Sequence, residues 1–197
     1  MSETVLSLQG FGVAFGEKVI LSSVDLTVEE RKATVMLGPS GTGKSTLLRT
    51  LAGFNDASPN LRTWGVAQYL GQPITDAERP ALVSQSARLM MASVLENIVQ
   101  DLPERRSLTP LQQRELATRL LVSAGLTELV ERLDEKVIHL DLAVQRHLAI
   151  MRLAATGARL LCIDEPTTGL GESEAQRLLD YIAEESTRRA VLVVLHN

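Results

Sequence analysis

The sequence predicts an α/β fold with an inserted all-helical subdomain. Three observations carry that expectation. A short apolar run, Thr34-Val35-Met36-Leu37, stops at a glycine-rich segment and gives way to a helical pattern. A second apolar run, Leu160-Leu161-Cys162-Ile163, and a third over 191–195 stand near the C-terminal end. Between them, from about 93 to 156, apolar residues recur at helical spacing with no strand pattern.

Taken in order, residues 4–8 and 18–28 alternate apolar and polar in places, and read as half-buried strands separated by a turn at Gly10-Phe11-Gly12. The run over 34–37 reads as a buried strand ending at Gly38. Leu47, Leu48 and Leu51 then mark a helix that begins at Lys44. In the middle, Leu116, Leu120 and Leu121 form one helical row, and Leu126, Leu129, Val130 and Leu133 another. Three or four helices are expected there, with Pro103 and Pro110 marking the breaks between them. A buried strand over 160–163, an amphipathic helix over 173–185 and a last strand over 191–195 complete the chain. The expected division is one domain, with an α/β core over 1–87 and 157–197 and a helical subdomain over 88–156.

Composition narrows the function. The chain has 197 residues, enough for one real core. Its net charge is −4, too balanced for a general polyanion binder, and 3% aromatics exclude stacking on several bases of single-stranded nucleic acid. No stretch approaches the roughly 20 apolar residues of a membrane span. The acidic start, Met1-Ser2-Glu3-Thr4, lacks the pattern of a signal peptide. The single cysteine, Cys162, allows no intramolecular disulfide and fits a reducing cytosol.

Chemistry concentrates in two segments. Gly38-Pro39-Ser40-Gly41-Thr42-Gly43-Lys44-Ser45 fits G-x-x-x-x-G-K-[ST] at every fixed position, after a strand and before a helix. Its glycines let main-chain N–H groups turn inward around phosphate oxygens, and the helix N-terminus adds partial positive charge. Lys44 would reach the β- and γ-phosphates, and the Ser45 hydroxyl would ligate Mg²⁺. The second segment is Asp164-Glu165, at the end of the 160–163 strand. Asp164 would hold Mg²⁺ through water, and Glu165 would orient or deprotonate an attacking water. Either segment alone has an ordinary explanation, a glycine turn or an acidic strand end. Together they indicate a P-loop NTPase core.

In its ordered motifs the whole chain resembles the ATP-binding cassette (ABC) ATPases, which power solute transporters. Residues 38–46, through Ser45 and Thr46, match that family's phosphate loop, with Leu47-Leu48-Arg49 and Leu51-Ala52-Gly53 continuing in its style. Val94-Leu95-Glu96-Asn97-Ile98 and Asp164-Glu165-Pro166-Thr167-Thr168-Gly169-Leu170 resemble further family segments. The resemblance implies a RecA-like core. It implies that Phe15 stacks on adenine, that Gln85 touches Mg²⁺ and the attacking water, and that His196 contacts the γ-phosphate. It implies ATP and Mg²⁺ as ligands, a second cassette as homo- or heterodimer partner, and membrane permeases as docking partners. The location it implies is cytoplasmic, at the inner face of the membrane.

Two departures stand out. The family signature, Leu-Ser-Gly-Gly-Gln, aligns without gaps to Leu140-Asp141-Leu142-Ala143-Val144, and no glycine lies between Gly125 and Gly157. In the family this segment serves the nucleotide of the partner cassette. A carboxylate about 4 Å from a phosphate charge would cost on the order of 4 kcal/mol at an effective dielectric near 20. Gly171 also stands where the family usually has an aspartate. Both changes affect what the chain offers a partner and leave its own nucleotide groups intact, so slow hydrolysis by a homodimer is expected. The chain ends one residue after His196, and a parallel strand at that terminus would leave a sheet edge exposed. The leading expectation is a transporter ATPase, with Leu89, Met90 and Met91 suited to an apolar permease groove or to ordinary core packing. The alternative is a soluble ABC-type ATPase or regulatory ATP switch.

Overall fold

The computed structural model describes residues 3–75, 78–84 and 87–196. Alternating aliphatic residues at the N-terminus pair as a long antiparallel hairpin, β1 (Thr4–Phe15) against β2 (Lys18–Glu29). The turn is at Gly16, with φ 58°, rather than at Gly10-Phe11-Gly12. Those residues lie inside β1, where the register shifts between Leu8 and Phe11. Gly10 adopts φ 54° and donates its N–H to Asp25 Oδ1 at 2.7 Å, so the two glycines serve a bulge. β4 (Leu61–Tyr69) pairs antiparallel on the other side of β1, and the short β5 (Gln72–Pro73) extends the sheet, in the order β2-β1-β4-β5. Gly12 lies under the Trp64 ring of β4. A Cβ there would sit 2.0 Å from Trp64 Cε2.

The second sheet contains β3 (Ala33–Leu37), β6 (Ala81–Val83), β7 (Leu160–Asp164) and β8 (Ala190–Leu195), in the order β3-β8-β7-β6. β8 lies between β3 and β7 and runs parallel to both. It is therefore paired on both sides. The edge is β3. Its apolar residues are not the buried set that the sequence suggested, since Val35 and Leu37 are 50% and 62% exposed. An unbroken apolar run marked the strand correctly, but its position in the sheet decided how much of it is covered.

Helix α1 (Lys44–Leu51) buries Leu47, Leu48 and Leu51 completely. Their i, i+1, i+4 spacing puts them on one stripe. They join a core with Leu6, Leu8 and Val13 of β1, Leu160 and Cys162 of β7, and Leu192 and Val194 of β8. Burial pushes the Cys162 thiol up to about 12, which leaves it an inert core group. These elements belong to the first of two compact units, the described residues of 1–82, 159–168 and 182–197.

The second unit comprises the described residues of 83–158 and 169–181. It contains the short α2 (Ala87–Met91), α3 (Val94–Val99), α4 (Pro110–Ser123) and α5 (Leu142–Ala155). Reciprocal caps start two of these helices, Ser93 with Glu96 on α3 and Thr109 with Gln112 on α4. Pro110 thus occupies the first helical position, at the boundary between successive helical segments that the sequence marks there. The Leu126–Leu133 row, expected as a helix, lies largely in 3₁₀ turns over Thr127–Arg132 after Gly125 at φ 75°. α5 buries Leu148, Ile150 and Met151, and its buried Arg152 bonds Asp101. α6 (Glu172–Ser186) follows β7. Within this unit His147 of α5 lies 4.1 Å, ring centre to ring centre, from Tyr181. Its Nε2 is buried without a partner among the described residues.

Leu48→Ala removes a side chain with no exposure, and should cost about 3–5 kcal/mol of unfolding free energy in urea titration. His147 generates a pH dependence. Burial pushes its imidazole below the ordinary value, against smaller opposite pulls from Glu128 and the Ala124 carbonyl. The unfolded chain takes up a proton near pH 6.5 that the folded chain resists. Stability should therefore fall as pH drops through about 6.5 toward 5. His147→Phe should flatten that slope in thermal melts across the same range.

Candidate nucleotide site

The parallel register builds the site. Leu37 of β3 pairs with Leu195 of β8, and Val194 of β8 pairs with Asp164 of β7. Three neighbouring strands therefore end at one level, with adjacent strands about 4.8 Å apart. Each strand end delivers a different group: Gly38 and the loop after β3, His196 after β8, and Asp164 with Glu165 at β7. This carboxyl end of a parallel sheet is where α/β folds hold ligands. Among the expected site residues, Phe15, Gly38, Ser40, Gly41, Thr42, Gly43, Lys44, Ser45, Thr46, Asp164, Glu165 and His196 all belong to this first unit. Gln85 lies outside the described residues.

Backbone conformations that L side chains rarely adopt shape the loop. Gly38, Gly41 and Gly43 have φ of 157°, 80° and 90°. At Gly43 there is also no room for a side chain. A Cβ there would lie 2.9 Å from Ile20 Cγ2 and 3.0 Å from Leu21 Cδ2. No motif in the chain marks these two β2 residues as lying beneath the loop. Immediately after Gly43, Lys44 is 8% exposed. Its ammonium donates to the Gly38 and Pro39 carbonyls, both at 2.7 Å, and to Thr42 Oγ1 at 3.1 Å. Ser45 is exposed in the first turn of α1.

Across the sheet end, Asp164 Oδ1 is buried with no hydrogen-bond partner among the described residues. A buried carboxylate oxygen left bare costs stability unless a ligand satisfies it. Together with the Ser45 hydroxyl it supplies hard oxygen donors of the kind Mg²⁺ takes. Glu165 adopts φ 44°, uncommon for a non-glycine residue and found at a residue that precedes a proline. Its N–H donates to the Val194 carbonyl at 2.9 Å, and the Thr168 hydroxyl approaches its Oε2 at 3.3 Å. His196 is exposed just past β8. Phe15 is half-buried at the end of β1 and packs against the core of this unit.

In the second unit, Asp141 is the N-cap of α5, and its carboxylate makes no capping bond. Leu142 is 43% exposed, and its Cδ2 is 3.8 Å from the Cβ position of Gly169. Gln145 is buried and donates to the Leu140 carbonyl at 2.8 Å. Leu89 and Met90 line a small cavity with Asn97, Gln145 and Arg152, whereas Met91 is exposed.

The sequence profile of the ABC transporter family matches residues 21–168. The chain belongs to that family. It is an ATP-binding, ATP-hydrolysing P-loop subunit of the ABC transporter type. Similar curated proteins include the phosphate import ATP-binding protein PstB of Shewanella denitrificans, 30% identical over 99% of this chain and 75% of that protein. PstB 2 of Bacillus licheniformis is 27% identical, over 99% of this chain and 74% of its own length. Among solved structures, the ATP-binding cassette MJ1267 of an ABC transporter superposes with a TM-score of 0.81 at 22% identity, covering 100% of this chain and 83% of that one. A nucleotide-free cassette from an ABC transporter gives 0.76 at 20% identity, over 99% and 82%. Both likenesses concern the fold. Among the described residues no helix is long and apolar enough to cross a membrane.

The crowding at Gly43 yields a direct expectation. Gly43→Ala combines a blocked Cβ position with a positive φ, so the loop must move. Mg-ATP affinity, measured by calorimetry, should fall at least about tenfold. The melting temperature should change little, because the α1 leucines remain packed.

Proposed function

We propose that this chain powers solute uptake as the ATPase partner of a membrane permease, with a competent nucleotide site of its own and a poor signature face. The carrying observation is a contrast. The strand ends gather the glycine loop with Lys44, the Asp164-Glu165 pair and His196 in one unit, whereas α5 begins with an uncapped carboxylate and an exposed leucine where the family places a hydroxyl and glycines. The relatives named for phosphate import support uptake as the direction.

In this reading the loop amides and Lys44 hold the triphosphate, and Phe15 packs against adenine. Ser45 and Asp164 hold Mg²⁺, with Gln85 completing the set. The ion, when bound, neutralises charge on the transferring phosphoryl group. Glu165 orients the attacking water and takes its proton, and its left-handed backbone and the Thr168 hydroxyl hold the carboxylate in place. His196, one strand over, meets the γ-phosphate. Residues 140–144 face the nucleotide of a second cassette. A homodimer then turns over slowly, and a partner with an intact signature completes one active site. The chain works in the cytoplasm, held at the membrane's inner face by the permease.

Steady-state ATPase assays test this. The purified chain should turn over weakly, and Glu165→Gln should retain ATP while abolishing hydrolysis. Restoring the signature with Asp141→Ser, Leu142→Gly and Ala143→Gly should raise turnover about tenfold or more. Wild-type turnover already equal to the restored variant would refute the poor-face reading. Purification without any membrane protein from its native host would favour the soluble ATP switch, for which the altered signature is the supporting feature.

A further inference from the structure

An ammonium group has three protons, and at Lys44 all three are engaged. Two go to main-chain carbonyls, those of Gly38 and Pro39, at 2.7 Å. The third goes to Thr42 Oγ1 at 3.1 Å. The Thr42 hydroxyl points its own proton elsewhere, to the Pro39 carbonyl at 3.0 Å, so it meets Lys44 with a lone pair. Ammonium and hydroxyl both lie against Gly38, 3.6 and 3.9 Å from where its Cβ would be.

The three acceptors differ in how readily they can leave. The carbonyls are fixed by the loop backbone. The hydroxyl makes the longest of the three contacts and is one χ1 rotation from withdrawing. A phosphate oxygen that approaches Lys44 needs a proton and finds no fourth, so it must displace one acceptor.

We propose that the Thr42 hydroxyl stands in for phosphate on Lys44 and, by being displaced, sets the nucleotide affinity of this chain. The inference rests on residues 38–45 being the triphosphate site, and it adds a role for one side chain where the loop motif asks only for a backbone. The exchange replaces a neutral acceptor with an anionic one, so binding still proceeds, at reduced affinity. The penalty applies to nucleotides whose phosphates reach Lys44. AMP, too short to do so, escapes it.

Calorimetric titration of the purified chain with Mg-ATP, Mg-ADP and AMP tests the proposal. Thr42→Ala should tighten ATP and ADP about three- to tenfold and leave AMP unchanged. Thr42→Val, which keeps the branched shape without the oxygen, should do the same. Thr42→Ser should retain wild-type affinity. Unchanged or weaker ATP binding by both Ala and Val variants overturns the proposal, as does equal tightening of AMP, which would mark a general effect on the loop. Lys44→Ala separates the two levels of argument. If it binds ATP like wild type, the site assignment itself fails. If it binds weakly while Thr42→Ala matches wild type, only the role of Thr42 fails.

Discussion

The register of three parallel strands is the constraint on which the rest depends. Leu37 opposite Leu195, and Val194 opposite Asp164, bring a glycine loop, a histidine and two acids to the same end of one sheet. The loop, the histidine and the acid pair are far apart in sequence. A slip of one residue in β8 would turn its buried residues to the other face and remove His196 from the row. The apolar faces of β7 and β8, packed with the α1 leucines, guard against that slip. In this fold the packing of the core and the alignment of the site are one and the same condition.

That alignment carries a local cost. Asp164 holds a bare buried oxygen, Glu165 sits in a left-handed conformation, and Lys44 is almost wholly enclosed. Each is unfavourable alone and each lies at a strand end or in the loop beside it. A bare carboxylate oxygen next to a strained residue, at the end of a parallel sheet, is what a prepared site looks like before its ligand contributes. In the helical unit the buried Arg152 guanidinium does bond Asp101 through Nη1, although its Nε is without a partner among the described residues.

How far the sequence could be read depended on the kind of signal. β7, β8 and α1 were legible because unbroken apolar runs and a leucine stripe leave few other options. The phosphate loop was legible because glycines, lysine and serine at fixed spacing have one common use. β4 was missed. Arg62, Thr63 and Gly65 dilute its alternation, and its pairing with β1 is set by contacts far apart in sequence. The bulge at Gly10 and Gly12 looks like a turn in sequence because glycine signals both, and only the Asp25 contact and the Trp64 ring tell them apart. The exposure of β3 could not be read because a strand's place in a sheet is not local information. Ile20 and Leu21 beneath Gly43 left no trace in any motif.

The Trp64 ring over Gly12 bears on the protein's history. With the indole that close, residue 12 accepts nothing larger than hydrogen while residue 64 stays tryptophan. Residue 64 in turn covers a bare backbone that a smaller neighbour would leave open to water. The two positions, on paired strands, can drift only as a couple. In lineages descended from a common ancestor, a change at one should be accompanied by a change at the other, a pattern of coevolution set by steric exclusion alone.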